Sequence, residues 1–590
     1  MDLENSPGHI ALSRSLVNVA DTTDANLTNL AVVDAFQRTD ADGTDRYWAL
    51  NRGGRLAKTD STGGNALLLT QATWDEDTLA SSPIDAKDFS IHEKDSNADT
   101  ASTAANAEDR LFVTRDTDIA SLNDTASNTW NANWWVTTKA QTGLKAGVPH
   151  PIEYFPLRRI SIVGDGNFVH TIDKAGAVSY SRLVLPLNLQ VEGIFVTAYR
   201  SWILCSGKQG RNGAIVEWDG FSQTYNAIHD AQSSHPLSGV NYNEVPIVVN
   251  NRGLILEYNG NGFSPMIRDG QKICFPFYEE LGNSFIITSS TIPIKPRGMT
   301  VTDDGLVYIN VQEPSLASHR QLGGIWCLNP ISGRLYSKYS LNMGSDTDYG
   351  QQVILDPGAI KAVNMGDLVA SSSQLLAGGR IYSSYAGTQV RAIWALHRPY
   401  SSTVRRGHFI TQYVPSDEIQ DCWDTLWLKL SAFKSSNDRI IVKARGTKSL
   451  TDTDRLPLQK TITWTTGTTF TVTITGANSD AIAVGDEIEV IAGRNAGALA
   501  HITVISGAHG ALQTITIDET VTGTSGGSLC RFDRWKKLGV INDTSKYTVP
   551  LNIGITSSFV QFKVELRGPA TDFDIKSLII NKETQTKSKK

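Results

Sequence analysis

From about Tyr47 to His397 one short phrase recurs along the chain: an alternating or β-branched apolar run, a Gly or Asn-Gly break, then a second apolar run ending on an aromatic residue. The phrase predicts a β-hairpin, because Gly or Asn-Gly reverses the chain tightly and the apolar positions do not follow the spacing of a helix face. Stretches 46–56, 159–170 and 247–260 each supply two strands. Further copies stand at 193–196 with 214–220, at 299–308, and at 324–328 with 333–336. Related units return roughly every 45 to 60 residues, the length of a blade of four antiparallel strands. A β-propeller of about six to eight blades over 46–398 is the fold this spacing predicts, since blades in a ring bury their apolar faces on one another. Stacked β-sandwiches are the competing topology.

Beyond Pro399 the pattern becomes strict alternation. Stretches 424–433 and 439–446 put Lys and Arg on one face and Leu, Ile and Val on the other, and 560–568 and 573–580 repeat the pattern. Together they predict a β-sandwich over 399–459 and 531–582, with 460–530 as an inserted module. The short runs 470–475, 486–491, 500–505 and 513–517, separated by Gly-containing turns, make that insert a small β-barrel. Residues 1–45 read as an N-terminal arm and 583–590 as a solvated tail. Stretch 59–107, rich in Asp, Ala, Ser and Thr, predicts long surface loops with only short strands, an insertion outside the core.

Composition narrows the class. With 590 residues the chain has room for three or four domains, or for one large repeat architecture, and 49 Gly, 13 Trp and 17 Tyr beside 5 Met fit strands and turns. The formal charge of −6, from 54 basic and 60 acidic side chains, gives no global attraction to nucleic acid. Asp2 and Glu4 stand where a secretory signal carries positive charge, and no apolar stretch has the length of a membrane helix. Cys205, Cys274, Cys327, Cys422 and Cys530 are far apart and odd in number, so they read as small buried hydrophobes rather than a disulfide or zinc framework.

The motifs of nucleophilic, metal-dependent and phosphate-binding chemistry are missing from the sequence, and no catalytic, cofactor-binding or metal-binding residue is expected. Asp40-Ala41-Asp42-Gly43-Thr44-Asp45 lacks the closing Glu of a calcium loop and reads as an Asx-type turn. Asp165, Asp219, Asp303 and Asp304 could be weighed as paired carboxylates, but each stands at a hairpin turn, where Asp beside Gly is a backbone preference. Trp130, Trp134 and Trp135 read as blade core before they read as a stacking platform. Lys429, Lys434, Lys443 and Arg445, with Lys563 and Arg567, lie on the polar face of the alternating strands, which reads as a solvated sandwich face interrupted by Glu565.

Four segments carry a resemblance: His150-Pro151-Ile152-Glu153-Tyr154-Phe155, then 162–170, then 248–260 with its Asn250-Asn251-Arg252-Gly253 turn, and the closing 562–568. In these the chain resembles structural proteins of tailed-bacteriophage virions, in particular the propeller-containing nozzle or tubular proteins of short tails. The resemblance, one of style over roughly 100–580, implies a non-enzymatic tail component assembled in the host bacterial cytoplasm. It implies a homo-oligomeric ring, a hexamer, at the DNA exit channel. Its expected partners are other tail proteins such as an adaptor and fibres, viral DNA passing without sequence-specific binding, and the host surface; no membrane span and no cofactor are expected. A receptor-binding or fibre-like virion protein and a propeller polysaccharide lyase or hydrolase are the alternatives.

Overall fold

In the computed structural model the residues described with their side chains are chiefly 112–121, 133–275, 294–311, 325–336, 423–430, 439–446, 460–475, 481–490, 499–520, 530–542 and 548–566; other strands are described by backbone course alone. The chain is nearly all β. Among the described residues the helical pieces are one five-residue and one three-residue turn, and no helix is long and apolar enough to cross a membrane.

Seven four-stranded antiparallel sheets follow one another. Sheet 1 begins with Val32–Thr39, sheet 2 with Asp88–His92, sheet 3 with Ile152–Phe155, sheet 4 with Leu189–Val196, sheet 5 with Pro236–Tyr242, sheet 6 with Met299–Val301 and sheet 7 with Ile354–Val363. The first strand of each sheet neighbours the first strand of the next, and that of sheet 7 returns to that of sheet 1, the closed arrangement of a β-propeller.

Sequence explains the stacking directly. In the second strand of sheet 3, Ile162 joins the apolar cluster shared with sheet 4, while its neighbour Val163 joins the one shared with sheet 2. Sheet 4 repeats the device: Ile203 and Cys205 face sheet 3, and Trp202 and Leu204 face sheet 5. Sheet 5 sends Val248 back to sheet 4 and Ile247 and Val249 on to sheet 6. A strand buried on both faces reads as a continuous apolar run, which is why these segments do not alternate. Two glycines permit close approaches between neighbouring sheets. A Cβ at Gly164 would stand 2.6 Å from Val191, and one at Gly239 would stand 2.4 Å from the Phe195 ring.

The N-terminal stretch is not a free arm. Leu16–Asn18 pairs with Thr388–Leu396 as the outermost strand of sheet 7, and Ile10–Ala11 pairs with Asp574–Glu583 near the chain's end. Sheet 1 starts at Val32 rather than 46, because Val32–Thr39 forms the hairpin partner of Asp45–Asn51. Stretch 59–107 is likewise not wholly outside the sheets: Trp74–Thr78 is the edge strand of sheet 1 and Asp88–His92 opens sheet 2. Asp40 to Thr44 of the Asx-turn motif and the 584–590 tail lie outside the described residues.

Two further sheets lie beyond the ring. Asp421–Leu430 runs between Thr548–Ser557 and Asp574–Glu583 in one; Phe559–Gly568 runs between Arg405–Ile410 and Arg439–Thr447 in the other, with Lys536–Ile541 outside the latter. Both sheets feed one buried cluster that includes Trp423, Leu428, Val442, Phe562 and Val564. Arg439–Thr447 and Lys536–Ile541 pair with each other, and between them stands a closed six-stranded barrel running from Leu458–Thr466 to Gly527–Asp533. Its interior follows the strand period: Phe470, Val472 and Ile474 point in while Thr471 and Thr473 do not.

Candidate functional site

The most concentrated polar chemistry among the described residues lies where the barrel meets the sheet that carries it. Alternation places Val442, Ala444, Phe562 and Val564 inward, so Lys443 and Lys563 must leave the opposite face. They are register partners on adjacent strands, two like charges side by side. The barrel supplies the answer through Glu487, at the start of Glu487–Gly493, which accepts from Lys443 and from Lys563, the latter at 2.5 Å. Lys443 also donates to Glu565. All four side chains are buried, Lys443 completely, and the group is neutral.

This corrects the reading of Lys443, Lys563 and Glu565 as a solvated face: the face is the barrel's seat. Lys429 stays exposed, while the side chains of Lys434 and Arg567 lie outside the described residues. Burial alone would push the Glu487 carboxyl up, yet the Lys563 and Lys443 ammonium groups hold it down at about 2. Burial likewise opposes the charge on Lys563, and Glu487, Glu489 and Glu565 more than compensate, raising it. The sign of the pH dependence follows. Glu487's share of stability is complete above its ordinary value of 4.5 and fades as pH falls toward about 2; that of Lys563 is complete below its ordinary 10.5 and is lost only above it. The difference in unfolding midpoint between the wild type and Glu487→Gln is therefore expected to be constant from about pH 5 to 9 and to shrink below pH 4.5. A difference that grows in acid would contradict the assignment.

Around this core Arg445 donates to both Asp533 oxygens at 2.9 Å, to Gln561 at 2.9 Å, and covers the buried Trp535 ring at 4.5 Å. Beside it opens a cleft of about 460 Å³ lined by Asp486, His501, Asp518, Arg534, Lys536 and Lys537 among others. Its carboxylates have structural employment. Asp486 accepts from the Ala483 amide at 2.7 Å, and burial pushes its carboxyl up. Asp518 accepts from the His501 amide at 2.7 Å and faces its Nδ1 at 3.1 Å; burial pushes Asp518 up, but these contacts hold it below the ordinary range. The lining offers charge for binding and no Ser, Thr or Cys nucleophile.

The described carboxylates at the propeller turns are each engaged by neighbouring amides or side chains. Asp165 is buried; burial pushes it up, but His170 at 3.4 Å, the Lys145 amide at 2.9 Å and His150 hold it low. His170 accepts the Ser181 amide on Nδ1, so its Nε2 carries the proton donated to Asp165. Asp219 takes both the Phe221 and Ser222 amides at 2.8 Å and closes its own turn. Asp304 accepts from Thr302, and Asp303 lies outside the described residues. Trp134 and Trp135 are core; the Trp130 side chain is not described. Cys205 and Cys530 sit in apolar clusters, where burial pushes both thiols up.

Sequence reasoning did not foresee a strap over the first strands of the ring. Arg297 donates to Glu153 and to the Ile152 carbonyl of sheet 3, the Pro296 carbonyl accepts from Ser238 of sheet 5 at 2.7 Å, and Pro296 packs at Gly193 of sheet 4. Segment 295–297 thus bridges three first strands. Its only sequence signal is the Lys-Pro-Arg triplet, which matches no motif used above.

No family model and no curated protein matches the chain. Among solved structures it is similar to the β-propeller domain of Cps50 (Swd1) from Myceliophteria thermophila, at 10% identity over 65% of this chain and 99% of that one, TM-score 0.35. It is similar to BBS1N, solved in complex with ARL6DN, at 11% identity over 66% and 98%, TM-score 0.37. It is also similar to the computationally designed Ika8 protein, at 10% identity over 64% and 99%, TM-score 0.34. These values transfer no function, and the fold rests on the chain's own strand pairing.

Proposed function

We propose that the chain is a non-enzymatic structural component of a bacteriophage tail, a ring-forming nozzle or tube protein at the DNA exit channel. In this reading the seven sheets are the blades of a seven-bladed propeller, and the two C-terminal sheets form a sandwich with an inserted barrel. The observation that carries the reading is the way the modules are joined. The barrel is held by paired flanking strands and a buried neutral ion network, and the N-terminal strands pair into both the ring and a C-terminal sheet. An architectural subunit must pass load between modules without a hinge, and strand pairing does this where a linker does not.

The partners are copies of the chain in a hexamer, an adaptor and fibres of the tail, and DNA held without sequence-specific contacts. Native mass and negative-stain imaging of the purified chain test this. A six-membered ring with a central hole wide enough for duplex DNA is expected. A monomer, or a trimer that binds host cells, would move the reading to a receptor-binding protein, and turnover of host capsule would move it to a lyase or hydrolase.

A further inference from the structure

In an antiparallel meander the first and third turns lie at one end of the sheet and the second at the other. Large apolar side chains are exposed on this end of the ring: Leu157 (50%) on the first turn of sheet 3, Tyr199 (68%) and Phe221 (64%) on the first and third turns of sheet 4, and Ile331 (79%) on the third turn of sheet 6. Leu157 and Phe221 belong to turns that pack together, since a Cβ at Gly220 would stand 2.8 Å from Phe155 and 3.4 Å from Arg158.

Two arginines frame the Phe221 ring. Arg182 lies 5.2 Å and Arg158 5.9 Å from its centroid, each fixed by a backbone carbonyl of the same turn, that of Phe221 for Arg182 and that of Asp219 for Arg158. Neither makes an ion pair with a carboxylate among the described residues. Asp219 is occupied chiefly by turn amides, and Arg158 adds a weaker electrostatic pull on its carboxylate. The result is an exposed aromatic anchor between two pre-positioned guanidinium groups, the composition that dominates protein interfaces.

The chain carries the complement. Stretch 59–107 has nine acidic side chains against two lysines, a surplus of seven negative charges where the whole chain has six. Asp75, Glu76 and Asp77 stand in Trp74–Thr78, the outermost strand of sheet 1 among the described residues, with Lys58 as the register partner of Asp75. We propose that the Leu157/Arg158/Arg182/Phe221 patch is an interface that receives the acidic edge strand of a second copy of this chain. Such a contact joins two different surfaces, so it propagates head to tail, and it gives a ring when the rotation from copy to copy closes. The inference rests on the self-assembly proposed above and adds the surfaces that perform it. A duplex is the weaker fit, since phosphate binding needs an extended basic track and gains nothing from exposed Leu157 and Phe221.

Native mass of the full chain, with circular dichroism to check folding, tests it. Arg158→Glu/Arg182→Glu is expected to weaken association roughly 100-fold and to leave a monomer at micromolar concentration. Leu157→Ser/Phe221→Ser is expected to do the same and decides the matter if the charge reversal does not fold. Asp75→Lys/Glu76→Lys/Asp77→Lys should also be monomeric, and mixing it with Arg158→Glu/Arg182→Glu should restore association, because each then meets an intact surface. If the wild type assembles and both patch variants keep its mass, the interface is overturned while assembly stands. Folded monomeric variants that fail to associate on mixing overturn the pairing with the acidic strand. A monomeric wild type overturns assembly itself and the interface with it. Duplex DNA binding lost in Arg158→Glu/Arg182→Glu at unchanged mass would assign the patch to DNA and overturn the proposal.

Discussion

Replacing Lys443 by Met is expected to destabilise the barrel's seat by about 3–5 kcal/mol, because it turns a neutral buried group into one with an unpaired negative charge. Lys443 is wholly buried and serves two carboxylates, so Glu487 would be left with Lys563 alone and Glu565 would lose its Lys443 bond. The loss should not be confused with the worth of the network. Replacing all four members together, by Lys443→Met, Lys563→Leu, Glu487→Met and Glu565→Leu, is expected to be neutral or stabilising, since four desolvation penalties disappear with the attractions. Because a chain of several modules can unfold in steps, the readout local to the seat is amide hydrogen exchange over 458–533 and 536–541. Exchange there should rise by about 100-fold or more in the single variant and return to the wild-type level in the fourfold one. Unchanged exchange in Lys443→Met would mean that water reaches the lysine.

Trp218→Ala carries the second large effect. Trp218 ends the third strand of sheet 4, is fully buried against Phe155 and Leu183 of sheet 3 and Leu189 and Val216 of its own sheet, and donates its indole N–H to the Ser222 carbonyl at 2.8 Å. Truncation removes the ring from the seam between two sheets that cannot collapse, at about 3–5 kcal/mol. Trp218→Phe keeps most of the packing and loses the hydrogen bond, so its effect should be smaller, about 1–2 kcal/mol. Thermal unfolding of both variants checks the order, and exchange over Leu189–Val196 and Ile160–Asp165 places the damage. Equal midpoints for the two would show that packing at this seam does not limit stability.

The parts of the fold that could be read in the sequence are those where one strand meets two neighbours. Ile162 with Val163, Trp202 with Ile203, and Val248 with Val249 are adjacent residues serving opposite faces, and such pairs leave continuous apolar runs punctuated by Gly. Outer strands were harder to read. Val178–Val184 exposes Ser179 and Tyr180 and carries little apolar signal, and Ile10–Ala11 and Leu16–Asn18 are too short for any period. At the barrel's seat the alternation correctly put Lys443 and Lys563 on the face opposite Val442 and Val564. It could not say what lies against that face, because the neighbour is Glu487, some forty positions away on a module folded back from an insertion. The Phe221 patch was invisible for a related reason: Arg182 and Arg158 reach it from other turns and strands.

The N-terminal strands give the chain a sense of time. Leu16–Asn18 is among the first segments to leave the ribosome, yet its partner Thr388–Leu396 follows only after most of the chain, and Ile10–Ala11 waits for Asp574–Glu583. At about 5–20 residues per second Leu16–Asn18 waits roughly 20 to 75 seconds for its partner and Ile10–Ala11 roughly 30 to 115 seconds. Until the partner strands have been made, sheet 7 and the C-terminal sheet each lack a strand and keep an open edge. The two clasps therefore shut in order, the one on the ring once Thr388–Leu396 has been made and the one on the C-terminal sheet only after Asp574–Glu583 has followed.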